Sequence, residues 1–193
     1  MNHILYLHGF ASSSDSTKAK LFKTFIQKSK EFVVLVPDLP NNLIGWSSVI
    51  EELVKEYNPV AFVGSSLGGF YASFYARKFE AIDILLNPAV LPAKGMKVYL
   101  GKNTNYSTGE EFELTNADID HLANMEKNIG SVKLSCNRSM VVVETGDELL
   151  DYKNAVDFYA GAQIRVIKGG SHSLDSFEDQ LDKISSFINN ALN

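Results

Sequence analysis

Gly64-Ser65-Ser66-Leu67-Gly68 limits what this chain can fold into more than any other stretch. The pentapeptide follows the short apolar run Val60-Ala61-Phe62-Val63 and opens a helical pattern carried by Tyr71, Phe74 and Tyr75. A serine with glycine two residues to either side, set between strand and helix, marks a turn too sharp for larger neighbours. The backbone there is expected to be strained, with the Ser66 oxygen projecting above the sheet. The first amides of the new helix have no carbonyl partner within it and face any negative charge that develops nearby. Gly69 lets that helix approach the sheet closely. Ser65 is adjacent but lacks the glycine spacing. A glycine-rich turn without chemistry would share these letters; the placement between strand and helix favours a nucleophile.

Around this turn the chain alternates apolar runs with helical periods. The runs Ile4–Leu7, Phe32–Val36, Val60–Val63, Ile82–Leu86, Met140–Glu144 and Ile164–Ile167 are apolar almost throughout, as strands covered on both faces are. Helical spacing recurs in Lys18–Lys28, Trp46–Tyr57, Asn116–Asn128 and Phe177–Ala191. The alternation predicts a doubly wound α/β fold of about six mainly parallel strands, in three layers with helices on both faces. A single domain over residues 1–193 is expected, with a small cap-like insertion at about 93–139, where no core strand is evident. Gly101-Lys102-Asn103-Thr104-Asn105 in that insertion carries turn chemistry. The chain starts two residues before its first strand, so a minimal sheet is expected.

A net charge of −5 and 21% charged residues argue against a nucleic-acid binder. No run approaches the length of a membrane span, and the start of the chain lacks the charged region of a secretory signal. The lone Cys136, expected to be a partly buried structural thiol, allows no internal disulfide and fits a reducing cytoplasm. No metal-ligand spacing, phosphate loop or dinucleotide glycine pattern occurs, so neither metal nor cofactor is expected.

Two further strand ends carry chemistry. Gly169-Gly170-Ser171-His172-Ser173 follows the last strand, and His172 is the one histidine that is both late and on a loop after a strand. His172 is the candidate general base. His3 begins a strand, His8 reads as structural, and His121 is expected to be exposed in the insertion. An acid to orient the imidazole is expected after the penultimate strand, in Thr145-Gly146-Asp147-Glu148-Leu149-Leu150-Asp151. Asp147 is nearest the strand end; Asp151 is the rival but resembles a helix cap, and Glu148 is a third choice. Asp175 reads as a helix-start or solvent residue. His8-Gly9-Phe10 after the first strand is the element that shapes an oxyanion hole when the chain order is Ser…Asp…His, with the Phe10 and Leu67 amides as donors. Ser12-Ser13-Ser14 beyond it either lines the pocket or solvates the loop.

With these motifs, and with Asn87-Pro88-Ala89-Val90, the chain resembles the YqiA-like family of small bacterial α/β-hydrolase esterases along nearly its whole length. The resemblance implies Ser66, Asp147 and His172 as a triad and hydrolysis of small carboxylic esters, with short acyl chains. Leu67, Phe10 and Tyr99 or Tyr106 are expected to shape an apolar acyl pocket. A thioesterase or acyltransferase would use the same triad. A protein-interaction module on a hydrolase scaffold is the reading from another class.

Overall fold

Strands that are apolar at every position need cover on both faces, and the computed structural model, which describes residues 1–129 and 135–193, provides it. The strands of the main sheet are β1 (Asn2–Leu7), β2 (Phe32–Leu35), β3 (Ala61–Ser65), β4 (Ile82–Leu86), β7 (Ser139–Glu144) and β8 (Gln163–Ile167). They pair in the order β2-β1-β3-β4-β7-β8, every pair parallel. Alternate residues feed two cores. Ile4, Tyr6, Val63, Ile84, Met140 and Val142 pack under α1 (Thr17–Ile26) and α7 (Phe177–Leu192). Leu5, Leu7, Phe62, Leu85, Val141 and Val143 pack under α2 (Leu43–Tyr57), α3 (Leu67–Lys78), α5 (Asn116–Ile129) and α6 (Tyr152–Phe158). The apolar stripes at helical spacing are thus the faces that meet the sheet. Among the described residues no helix is long and apolar enough to cross a membrane.

The chain leaves β1 for the edge strand β2 and then returns across the sheet to β3. The β1 and β3 loops therefore diverge at the switch point where open α/β sheets hold their ligands. Leu7 pairs with Gly64 there, which sets the end of β1 beside the serine turn.

Between β4 and β7 lie α4 (Ala93–Met96), a 3₁₀ turn at Lys97–Tyr99, a separate antiparallel hairpin of β5 (Gly101–Thr104) and β6 (Glu111–Leu114), and then α5. The sequence reading of Gly101–Asn105 as a turn is corrected. Gly101–Thr104 forms β5, because pairing with Glu111–Leu114 overrides the weak strand preference of its polar residues. The turn falls one step later, where the Asn105 side chain accepts the amides of Ser107 at 2.9 Å and Thr108 at 3.1 Å. Residues 130–134 of the expected insertion lie outside the described residues. Cys136 is exposed rather than partly buried, because it sits in the turn that leads into β7. His121 is half-buried rather than exposed; its Nε2 meets the Ser47 hydroxyl at 2.8 Å, tying α5 to α2.

At the opposite end of the sheet from the serine turn, β4 buries Asp83 to 2% exposure. Burial pushes its carboxyl up to about 7, against the partial relief given by Ser139, Arg77 and Ser73. The folded protein therefore holds this proton more tightly than the unfolded chain does. The associated stability is complete below about pH 4 and is lost as the pH rises through 7. Denaturant titration at pH 5 and pH 8 should show wild type losing roughly 2–3 kcal/mol more than Asp83→Asn over that interval. Equal losses in the two proteins would show that Asp83 is already ionised in the folded state at pH 5.

Candidate active site

Ser66 occupies the junction of β3 and α3 with φ 55° and ψ −122°, a conformation that costs a non-glycine residue energy unless its surroundings enforce it. The enforcement is by hydrogen bonds and by close packing. Ser66 donates its amide to the Leu86 carbonyl at 3.0 Å, and its own carbonyl accepts Gly69 at 2.9 Å and Ala89 at 3.0 Å. A methyl group on Gly64 would collide with the Gly68 carbonyl, and one on Gly68 with the carbonyls of Leu7 and His8. The glycines are therefore required by contact, since the first turn of α3 lies against the ends of both β1 and β3.

Three predicted side chains meet here. The Ser66 hydroxyl lies 3.0 Å from His172 Nε2, and His172 Nδ1 lies 2.8 Å from Asp147 Oδ2 and 3.0 Å from Oδ1. The Asp147 side chain is only 2% exposed against 20% for that of His172, so the carboxylate sits behind the imidazole. Burial alone would raise the Asp147 carboxyl. Its bonds to His172 and to the amides of Leu150 (2.8 Å) and Leu149 (2.9 Å) outweigh that and hold it below the usual carboxylate range. Asp151, the rival acid, caps α6 instead and accepts the Lys153 amide at 3.0 Å. Glu148 reaches the same loop differently, its carboxylate accepting the His172 backbone amide at 2.9 Å. Asp175 accepts the Ser171 hydroxyl at 2.7 Å.

The β1 loop lies alongside. A methyl on Gly9 would come within 3.5 Å of Ser66 Cβ, so the Phe10 segment borders the hydroxyl. Leu67 is the first residue of α3, and its amide has no carbonyl four residues back to bond. His8 is structural: it is buried, donates from Nδ1 to the Gly9 carbonyl at 2.9 Å, and accepts the Leu39 amide at Nε2 at 3.2 Å. Burial lowers its basicity, and the ring lies edge-on to Trp46. Ser13 is buried, with its hydroxyl accepting the Asp15 amide, so this serine serves the loop. The expected acyl wall is partly corrected. Phe10 does pack against Tyr99 (centroids 5.4 Å) and Phe112 (5.5 Å). Leu67, however, points into the core at 2% exposure because it begins a helix covered by the sheet, and Tyr106 is 85% exposed on a turn.

Sequence reasoning missed what fixes the His172 loop. Glu144, read as a strand residue, is 1% exposed at the end of β7. It accepts the amides of Ser171 (2.8 Å), Asp175 (2.9 Å) and Ser176 (2.7 Å). Burial opposes its charge, but bonds from Ser176, Ser171 and Asp175 overcome that and hold its carboxyl below the ordinary value. Asn87, left-handed at φ 40°, accepts the Glu144 amide at 2.9 Å and donates to the carbonyls of Ser171 (3.0 Å) and His172 (3.3 Å). Lys18 donates to the Ser173 carbonyl at 2.8 Å. An acid at a strand end followed by Thr-Gly-Asp is the signal that was available, but it is indistinguishable from an edge carboxylate without the loop in view.

An all-parallel sheet covered on both faces, with this hydroxyl, imidazole and acid on the loops at its carboxyl end, defines an α/β-hydrolase fold. Solved structures similar to it share that fold. Est1E from Butyrivibrio proteoclasticus matches with a TM-score of 0.79 at 16% identity, over 99% of this chain and 88% of that one. A monoacylglycerol lipase from Paleococcus ferrophilus gives 0.72 at 14% identity, over 97% and 94% of the two chains. Mouse alpha/beta hydrolase domain-containing protein 10 gives 0.72 at 16%, over 97% and 89%. At these identities the likeness is one of fold. The chain belongs to the uncharacterised protein family UPF0227, whose family model matches residues 3–189. This is the YqiA-like family that the sequence motifs resemble.

Removing the Glu144 carboxylate leaves three part-buried amides without their acceptor, each worth about 1 kcal/mol or more. Glu144→Ala should lower Tm by on the order of 10 °C and reduce kcat by about tenfold or more, read by calorimetry and by ester turnover. A variant with wild-type kcat would show that His172 is held in place without Glu144.

Proposed function

We propose that this protein is a serine hydrolase acting on small carboxylic esters with short acyl chains. The observation that carries the reading is the unbroken polar path from Ser66 through His172 to the buried Asp147, at 3.0 Å and 2.8 Å. In this reading the Ser66 oxygen attacks the ester carbonyl carbon while His172 Nε2 takes the hydroxyl proton. Asp147 holds the Nδ1–H tautomer and stabilises the imidazolium. The amides of Phe10 and Leu67 receive the negative charge on the carbonyl oxygen, each donor contributing about 3 kcal/mol to the transition state. Collapse of the tetrahedral intermediate expels the alcohol, which leaves with the proton from His172. Water, deprotonated by His172, then attacks the acyl-enzyme and frees Ser66 and the carboxylic acid.

The Phe10, Tyr99 and Phe112 rings beside the proposed oxyanion amide supply an apolar wall. Est1E has been solved with ferulic acid bound, which makes an aromatic ester a useful addition to the substrate panel.

Ser66→Ala should abolish turnover of p-nitrophenyl acetate and butyrate, and labelling by a fluorophosphonate, while circular dichroism and Tm stay close to wild type. Full activity in that variant would sink the assignment. Labelling without turnover of any oxygen ester, but with turnover of acyl-thioesters, would move the function to a thioesterase built on the same groups.

A further inference from the structure

The loop after β1 contains a second strained residue. Ala11, directly after Phe10, is left-handed at φ 52° without being glycine. Such a conformation persists only where neighbouring groups hold it, and the hairpin inserted between β4 and β7 supplies those groups. The Tyr106 amide donates to the Ala11 carbonyl at 2.8 Å, and Asn105 Nδ2 donates to the Ser12 carbonyl at 3.0 Å. Both carbonyls following Phe10 are thus taken by consecutive residues of one hairpin turn.

Asn105 is built for this task. It is 4% exposed, and every polar atom of the residue is engaged. Its second side-chain N–H donates to Asn41 Oδ1 at 3.0 Å, and Asn41 in turn donates to Glu110 Oε2 at 2.9 Å. Oδ1 accepts the Ser107 and Thr108 amides. The backbone amide donates to Glu110 at 2.8 Å and the carbonyl accepts Gly109 at 2.8 Å. The two side-chain donors therefore face the β1 loop and the segment before α2, while Oδ1 holds the hairpin turn. The rings of Phe112 and Tyr99 meet Phe10 from the same insertion.

We propose that Asn105 is a positioning residue for the oxyanion hole, fixing the Phe10 amide through the Ser12 carbonyl and making the inserted hairpin part of the catalytic apparatus. This rests on the reading of Phe10 as an oxyanion donor given under the proposed function. An amide that drifts from its position loses most of its value to the transition state and little of its value to ground-state binding.

Asn105→Asp keeps the oxygens that hold the turn and removes both donors. It should lower kcat by about tenfold to a hundredfold with KM within about threefold. The inhibition constant of a trifluoromethyl ketone, which binds Ser66 as a tetrahedral adduct, should rise by the same factor as kcat/KM falls. If that variant does not fold, Tyr106→Pro serves instead. Proline suits the first inner position of the turn and removes the N–H donated to Ala11 together with a ring that stands in solvent, so the same pattern is expected. Thr108→Ala, which deprives the turn of a 3.3 Å bond to the Glu110 amide without touching the β1 loop, should leave kcat unchanged. A wild-type kcat in Asn105→Asp, or an equal loss in Thr108→Ala, overturns the proposal. Turnover that survives Ser66→Ala overturns the underlying reading instead, whereas Ser66-dependent turnover indifferent to Asn105 overturns the hairpin's role alone.

Discussion

The rest of the structure depends on how closely the first turn of α3 lies against the ends of β1 and β3. No side chain can stand at Gly64 or Gly68, because the space is filled by the Gly68, Leu7 and His8 carbonyls. That contact forces Ser66 to φ 55°, and it also sets the β1 loop beside the hydroxyl. Steric exclusion at two glycines therefore fixes two things at once: the exposure of the serine oxygen and the proximity of the Phe10 segment. The strain is offset by three backbone hydrogen bonds through Ser66, two of them to the β4 strand and the Asn87-Pro88-Ala89 segment after it. The elbow is thus anchored to its neighbouring strand as firmly as to its own helix.

The main sheet was legible in the sequence because parallel strands covered on both faces are apolar almost throughout. All six apolar runs are strands of one sheet, with bounds within a residue or two. The hydroxyl, imidazole and acid were legible because each sits just beyond a strand end, where chain order and loop position single it out. The β5–β6 hairpin was not, since Gly101, Lys102 and Asn103 have poor strand propensity and are held by pairing with β6 and by the Asn103 side chain on the Tyr99 and Gly101 carbonyls. His121 and Cys136 were misplaced for a related reason. Exposure depends on which helix or turn covers a position, and neither periodicity nor spacing carries that information here.

Glu144 and Asp83 show what sequence cannot price. Both are buried carboxylates on adjacent strands, yet their environments drive them in opposite directions. Glu144 faces the three amides of an oncoming loop and is held ionised. Asp83 lies at the far end of β4, where desolvation outweighs the relief from Ser139, Arg77 and Ser73. The same carboxyl group in similar apolar runs becomes a loop anchor in one case and a group that keeps its proton to higher pH in the other. The difference lies in how many N–H donors the tertiary structure delivers to each oxygen.

The two loops that flank Ser66 are secured by different means, and the difference bears on how such a site can change. The His172 loop is bound by Glu144 at the end of β7 and Glu148 in the loop that follows it, by Asn87 after β4 and by Lys18 of α1. Disturbing it means disturbing the scaffold. The Phe10 loop is held at its flanks by the segment after β2, through the Leu39 amide on His8 and Asp38 on the Ser14 amide, and at its centre by the insertion, through Asn105 and Tyr106 and the aromatic contacts of Tyr99 and Phe112. On the proposed reading, the base is set by the fold and the oxyanion donor by a surface hairpin that also borders the acyl side. Changes in the insertion that alter which acyl group fits would then also move the amide that receives the charge. Rate and specificity would be coupled through the same few hydrogen bonds, and the hairpin could not be exchanged for one of another shape without retaining a donor at the Ser12 carbonyl.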